Sequence, residues 1–180
     1  MSVPTEDELK VAIAQALRRA VTDLFGAYSS HHFYYCSLVT TGEALPPSLV
    51  AWSSEALAEE VAKAKDASAE YFLKWSYADS PFYCYGEQYF EDVRRLFAQR
   101  PTPTLDEPAR WEAEVETRLR AMESAVAQID AEGVFGTGSR RNGILLNVEV
   151  MPPDATNTAR ARRLNPPEAL VAWLAEAAES

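Results

Sequence analysis

The chain has 180 residues, 47% hydrophobic and 24% charged, with seven glycines and eleven prolines, the composition of an ordinary globular chain forming one domain. At this length about 70% of the surface of the unfolded chain is buried on folding, which excludes small folds that need a metal or disulfides to replace a core. Seventeen Lys and Arg against 27 Asp and Glu leave a formal charge of -10, which repels phosphate backbones and anionic lipid over most of the surface, so neither nucleic acid nor a membrane is an expected partner.

The amino terminus, Met-Ser-Val-Pro-Thr-Glu-Asp-Glu, is acidic where a secretory signal is basic, and no apolar run approaches the about 20 residues that cross a bilayer. The expected location is the cytoplasm, where Cys36 and Cys84 stay reduced.

Thr5-Glu6-Asp7-Glu8 has the spacing of a capping box. Leu9, Ile13, Ala16, Leu17, Ala20, Val21, Leu24 and Phe25 then recur at helical steps, predicting a helix over 6–25 that Gly26 ends. His31 to Thr41 is dense in aromatic and β-branched residues and apolar on both faces, the pattern of a central strand. A short strand at 48–52 follows a Gly-containing turn, and Ser53-Ser54-Glu55 caps a surface helix to about Lys65. Tyr71–Trp75 reads as a third strand, followed by turn chemistry at Tyr77-Ala78-Asp79-Ser80-Pro81.

Phe90, Val93, Leu96 and Phe97 mark a helix over 87–98, and Pro101 and Pro103 mark 100–107 as an exposed connection. Asp106 is expected to cap a long helix, about 107–132, with Trp111, Val115, Leu119, Met122, Val126 and Ile129 on one face and acidic residues on the other. Ile144–Val150 reads as a strand bounded by Gly143 and Pro152-Pro153, and Asn165-Pro166-Pro167-Glu168 starts a last helix with Leu170, Trp173 and Leu174 inward. The order is α, β, β, α, β, α, α, β, α. The early hairpin predicts an α+β domain, a small antiparallel or mixed sheet with helices packed on it, ahead of a three-layer α/β alternative.

Four segments carry a resemblance: His32-Phe33-Tyr34-Tyr35-Cys36-Ser37-Leu38-Val39-Thr40, Ser53-Ser54-Glu55-Ala56-Leu57, Lys74-Trp75-Ser76-Tyr77-Ala78-Asp79-Ser80-Pro81-Phe82, and Asp130-Ala131-Glu132-Gly133-Val134-Phe135-Gly136. Together they resemble the small bacterial proteins filed as domain of unknown function 4303, from the first helix to the last strand. The resemblance implies a bacterial α+β protein of similar length with no established activity, and it brings no catalytic residue with it.

No catalytic residue, metal or cofactor is expected from the residues themselves. His31, His32, Cys36 and Cys84 are the chain's only His and Cys, and a zinc site needs three or four converging ligands. Gly133, Gly136, Gly138 and Gly143 superficially suggest a phosphate loop, but they follow a helix and lead into a strand, the reverse of that motif's order. They are expected to end the long helix and form a turn, with Arg140 and Arg141 solvated or paired with acidic neighbours.

Nine of the nineteen aromatic residues fall between Tyr71 and Phe90. Most are expected in the core, yet tyrosines carry a polar tip beside an apolar body, a composition favoured at recognition surfaces. The candidate binding residues are therefore Trp75, Tyr77, Asp79, Tyr83 and Tyr85, with Arg140 and Arg141. Glu112, Glu114, Glu116, Glu123, Asp130 and Glu132 read as a solvated face that would attract a basic partner. Residues 133–164 hold five arginines against Glu149 and Asp154, the expected electrostatic counterpart of that acidic helix. The function these features favour is a non-enzymatic interaction protein with a basic partner, such as a toxin neutralised in the manner of an immunity protein. The alternative is a small hydrolase or transferase whose site only the tertiary structure assembles.

Overall fold

The computed structural model describes residues 2–66, 68–102 and 107–179. Its elements are α1 (Glu6–Ala27), β1 (Phe33–Thr41), β2 (Ser48–Ser53), α2 (Ser54–Ala64), α3 (Ala69–Leu73), a 3-10 turn (Glu87–Phe90) running into α4 (Glu91–Ala98), α5 (Pro108–Ala131), α6 (Gly138–Asn142), β3 (Leu145–Met151), α7 (Ala155–Leu164) and α8 (Pro167–Glu176). The fold is α+β, with a mixed sheet in the order β2-β1-β3. The β1–β2 hairpin is antiparallel, and β3 lies parallel to β1.

Helix α1 starts where its capping box dictates: the Glu8 N–H donates to the Thr5 hydroxyl at 3.2 Å, and the Thr5 N–H donates back to the Glu8 carboxylate at 2.7 Å. Leu9, Ile13, Leu17, Val21 and Leu24 are buried, and α1 packs along α5. Ser53 closes β2 and caps α2 at once, accepting from the Ala56 N–H at 3.1 Å.

Residues paired across neighbouring strands share a face of the sheet. Tyr35 is opposite Trp52 and Leu145, and Ser37 opposite Val50 and Asn147, while Val39 lies opposite Glu149. One face thus carries Tyr35, Ser37, Asn147 and Glu149, all buried. The other places Cys36, Leu38, Leu146 and Val148 in the core.

Both outer edges of this sheet are blocked by side chains or turns. Along β3, the Asn165 amide accepts from the Leu146 N–H at 2.8 Å and donates to the Leu146 carbonyl at 2.6 Å. Asn157 repeats this with Val150 at 2.8 and 3.1 Å, and Arg160 donates to the Val148 carbonyl at 2.7 Å. These side chains replace a fourth strand and leave β3 without an open edge. On β2 the Ser80 hydroxyl donates to the Ala51 carbonyl at 2.5 Å and the Tyr85 N–H to the Leu49 carbonyl at 3.2 Å.

That arrangement explains where the elements depart from the sequence pattern. Tyr71–Trp75 is not a strand: it forms α3 and the turn after it, with Tyr71 76% and Phe72 68% exposed, and both outer edges of the sheet are already bonded to other residues. Helix α7 was not predicted because its buried positions, Asn157, Arg160, Ala161 and Leu164, have helical spacing but are half polar. Hydrophobic periodicity does not register such a face. Helix α6 is likewise a single turn within the glycine-rich segment read as loop.

Helix α5 runs from Pro108 to Ala131; the expected cap, Asp106, and Pro103 lie outside the described residues. Its buried stripe is Glu114, Arg118, Ala121, Met122, Ala125, Val126 and Ile129, so Glu114 does not belong to the solvated acidic face. Its carboxylate is held by Arg100 and Arg118, each at 2.7 Å, and Arg118 stacks its guanidinium 5.2 Å from the Phe97 ring. Burial alone would raise the Glu114 pKa, but the bonds from Arg100 and Arg118 outweigh it and hold the group below the usual carboxylate range. Two of the five late arginines do meet the acidic helix, Arg141 at 2.5 Å from Asp130 and Arg163 at 2.7 Å from Glu123.

Candidate functional site

Strand β3 reads Leu-Leu-Asn-Val-Glu-Val-Met, and alternation sends Asn147 and Glu149 to the Tyr35 face. Beside Glu149 lies a cavity of about 620 Å³. The turn after α3 contributes Trp75 and Tyr77 to its wall, α8 contributes Trp173, and the residues after α8 bring Glu179. Glu179 is placed by the Thr158 hydroxyl, which donates to its carbonyl at 2.8 Å.

Glu149 is only 7% exposed. The Tyr35 hydroxyl donates to its Oε1 at 2.8 Å and the Asn147 amide approaches the same oxygen at 3.5 Å. Burial raises the Glu149 pKa; donation from Tyr35 opposes the rise, the nearby Glu179 carboxylate adds to it, and the result is about 7. Burial, then the Glu149 charge, push the Tyr35 phenol well above its ordinary value, so it remains the donor of the pair.

Trp75 is held on three sides. Its indole N–H donates to Glu176 at 2.8 Å, and its ring meets those of Tyr34 and Tyr35 edge-on at 5.2 and 6.1 Å. Lys74, paired with Glu176 at 2.8 Å, lies 5.4 Å from its centroid. The neighbouring Trp52 indole N–H donates to the Ser76 carbonyl at 2.7 Å and ties the turn to the sheet. Two indoles, a phenol and two carboxylates around one cavity make an environment for an organic cation, which is attracted both by aromatic faces and by negative charge.

Of the residues expected to bind, Trp75 and Tyr77 line this cavity together. Tyr83 stands beside them, its ring 6.2 Å from that of Tyr77, and Asp79 accepts from the Ser76 hydroxyl at 2.5 Å within the same turn. Tyr85 is elsewhere, donating to Asp23 of α1 at 3.3 Å. Arg140 lines a different cavity with His31 and His32. Arg141 is buried and committed to Asp130, to the carbonyls of Ile144 and Leu164 and to Asn165, so it is a tie within the fold rather than a surface group.

The His and Cys residues are dispersed. His31 lies 2.8 Å from the Ser53 hydroxyl, and His32 2.5 Å from Glu55; the side-chain and backbone bonds from His32 lower the Glu55 pKa to about 2. Cys36 is on the opposite sheet face from Glu149, its thiol pushed up to about 12 by burial. Among the described residues no three or more His, Cys, Asp and Glu side chains form a group able to hold a metal ion, and no helix is long and apolar enough to cross a membrane.

Sequence reasoning did not single out Glu149, Tyr35 or Trp173. The available signal was Asn147 and Glu149 at alternate positions of an otherwise apolar strand, since a carboxylate facing a core has to be hydrogen-bonded or protonated there.

The chain matches no curated protein and no solved structure. A family model does match, over residues 13–166 of the 180, and the chain belongs to the family it describes, Domain of unknown function (DUF4303).

Proposed function

We propose that this is a bacterial, cytoplasmic, non-enzymatic interaction protein that binds a basic protein partner, one of whose cationic side chains enters the cavity between Trp75, Tyr77 and Trp173. The observation that carries this reading is that both Glu149 and Glu179 line that aromatic-walled cavity. A charge of -10 supports it from a distance, because it speeds encounter with a positively charged surface and disfavours anionic competitors. A cationic toxin held in the manner of an immunity protein is one partner of this class.

A second reading rests on the Glu149 pKa of about 7. A carboxyl that exchanges its proton near neutrality can act as a general acid or base, which suits a small hydrolase or transferase.

Tryptophan fluorescence titrated with butylammonium, butylguanidinium and butyrate tests the first reading. The two cations are expected to saturate the signal and butyrate to leave it unchanged, with Glu149→Gln weakening cation binding at least tenfold. Affinity should rise as pH passes upward through 7, where Glu149 ionises. Equal binding of butyrate, or unaltered cation binding by Glu149→Gln, would overturn it. Turnover of simple esters or amides that disappears in Glu149→Gln would favour the second reading.

A further inference from the structure

Trp75 also borders a second cavity, of about 660 Å³, whose apolar wall is Leu57, Ala58 and Val61 of α2 with Ala169 and Ala172 of α8. A third cavity, of about 540 Å³, contains Ser30, His31, His32, Ser139 and Arg140. The two share Tyr34, Ser54 and Gly143 in their linings. They are therefore adjoining halves of one trough, apolar toward α8 and polar toward α6.

Among the described residues, the lining of the polar half holds a cation and no carboxylate, with Glu55 beside it, 2.5 Å from His32. Arg140 is the one lysine or arginine among its described lining residues, and it has no carboxylate partner among the described residues. The adjacent Arg141 is consumed inside the fold. Arg140 is nonetheless positioned: its guanidinium lies 5.2 Å from the Phe25 ring centroid, and its stem passes over Gly136, where an added Cβ would come within 2.7 Å of Arg140 Cδ. The glycine, at φ +95°, both makes the turn after α5 and leaves room for that stem. The apolar half also carries Glu70 and Glu168 in its lining, while Lys74 there is already neutralised by Glu176.

We propose that this trough binds an amphiphilic organic anion, a molecule with an aliphatic or aromatic body and a carboxylate or phosphate head. The body lies on Leu57, Val61, Trp75 and Ala172, and the head meets Arg140 and the hydroxyls of Ser30 and Ser139. Arg140 is the cation of the polar half and Glu70 and Glu168 line the apolar half, so the anionic head is favoured in the polar half. This site shares Trp75 with the cation-binding cavity but none of its carboxylates, and prefers the opposite charge.

The test uses 8-anilino-1-naphthalenesulfonate, an aromatic body with an anionic head, as a fluorescent probe on the full chain. Saturable binding is expected, with displacement by octanoate or by 1-naphthyl phosphate but not by octylammonium; the stronger of the two displacers identifies the head as carboxylate or phosphate. Arg140→Ala should weaken octanoate binding at least tenfold while leaving octanol binding unchanged. Ala172→Trp, which fills the apolar half, should weaken both. Arg94→Ala, which removes an equal charge from exposed α4, should alter neither. Far-UV circular dichroism and thermal midpoints confirm that each variant is folded. Equal displacement by octanoate and octylammonium, or an Arg140→Ala effect no larger than that of Arg94→Ala, would overturn the proposal whatever the outcome at Glu149.

Discussion

The Tyr35 hydroxyl on β1 donates to the Glu149 carboxylate on β3 at 2.8 Å, although the strand register places Tyr35 beside Leu145 and not beside Glu149. The phenol reaches along the sheet to its partner, and Glu149 in turn lines a cavity walled by Trp75 and Trp173.

Tyr35→Phe removes a donor that favours the ionised form of Glu149, so the Glu149 pKa is expected to rise further above about 7. A neutral hydrogen bond contributes about 1 kcal/mol and one to a charged acceptor about twice that, so the substitution should destabilise more at pH 8 than at pH 5. Urea midpoints at the two pH values measure this; an identical loss at both would mean that Tyr35 does not sense the charge on Glu149.

Glu149 also sets a pH dependence of stability. The folded protein retains its proton up to about pH 7, whereas the group's ordinary value is 4.5. Between those limits the folded state binds more protons than the unfolded one, so the free energy of unfolding falls as pH rises, by roughly 3 kcal/mol across the window. Glu55 and Glu114, whose pKa values are lowered, act in the opposite sense and below that window. Glu149→Gln should flatten the profile between pH 5 and 8 and be the more stable protein at pH 8. An unchanged slope would rule out Glu149 as its source.

Glu114→Gln leaves Arg100 and Arg118 without their shared carboxylate. Removing one member of a buried ion pair costs roughly 3 kcal/mol or more, whereas an exposed pair is worth about 0–1 kcal/mol. Glu123→Gln, which breaks the pair with Arg163, whose side chain is 58% exposed, is therefore expected to be nearly silent. Chemical denaturation of the two variants should separate them by at least about 2 kcal/mol, the buried-pair cost less that of the exposed pair.

Asn165→Ala uncovers the β3 edge at Leu146, leaving both an N–H and a C=O without partners. A loss of about 2 kcal/mol is expected, together with concentration-dependent association through the opened edge, visible by light scattering. Asn165→Asp would keep an acceptor for the Leu146 N–H and should recover part of the stability.

Arg140 and Arg141 are neighbours in sequence with separate fates. Arg141→Ala removes a buried guanidinium that links α5, the residue before β3 and α7 and should destabilise by roughly 3 kcal/mol. Arg140→Ala should stay within about 0.5 kcal/mol of wild type. Thermal unfolding of the single variants reads the difference, and equal midpoints would contradict the assignment of Arg141 as a tie within the fold.

Much of the fold was legible wherever one face of an element is apolar. The capping box and the Leu9-to-Leu24 stripe determined α1, the β-branched and aromatic run determined β1, and Gly143 and Pro152 bounded β3. Trp75 and Tyr77 also stood out by composition before their positions were known. What the sequence did not contain is the pairing of distant polar groups. Asn157, Arg160 and Asn165 look like solvated residues until they are seen bonded to the free edge of β3, and Glu114 looks like one acid among many until Arg100 and Arg118 enclose it. Glu149 was one charge in an arginine-rich segment, and only the parallel placement of β3 beside β1 brings it to Tyr35, while α8 and the turn after α3 supply the cavity. The physical reason is common to all of them: apolar burial is non-directional and leaves a periodic trace along the chain, whereas a buried polar group is stable only against a particular partner at hydrogen-bond distance, and which partner that is depends on how the elements pack.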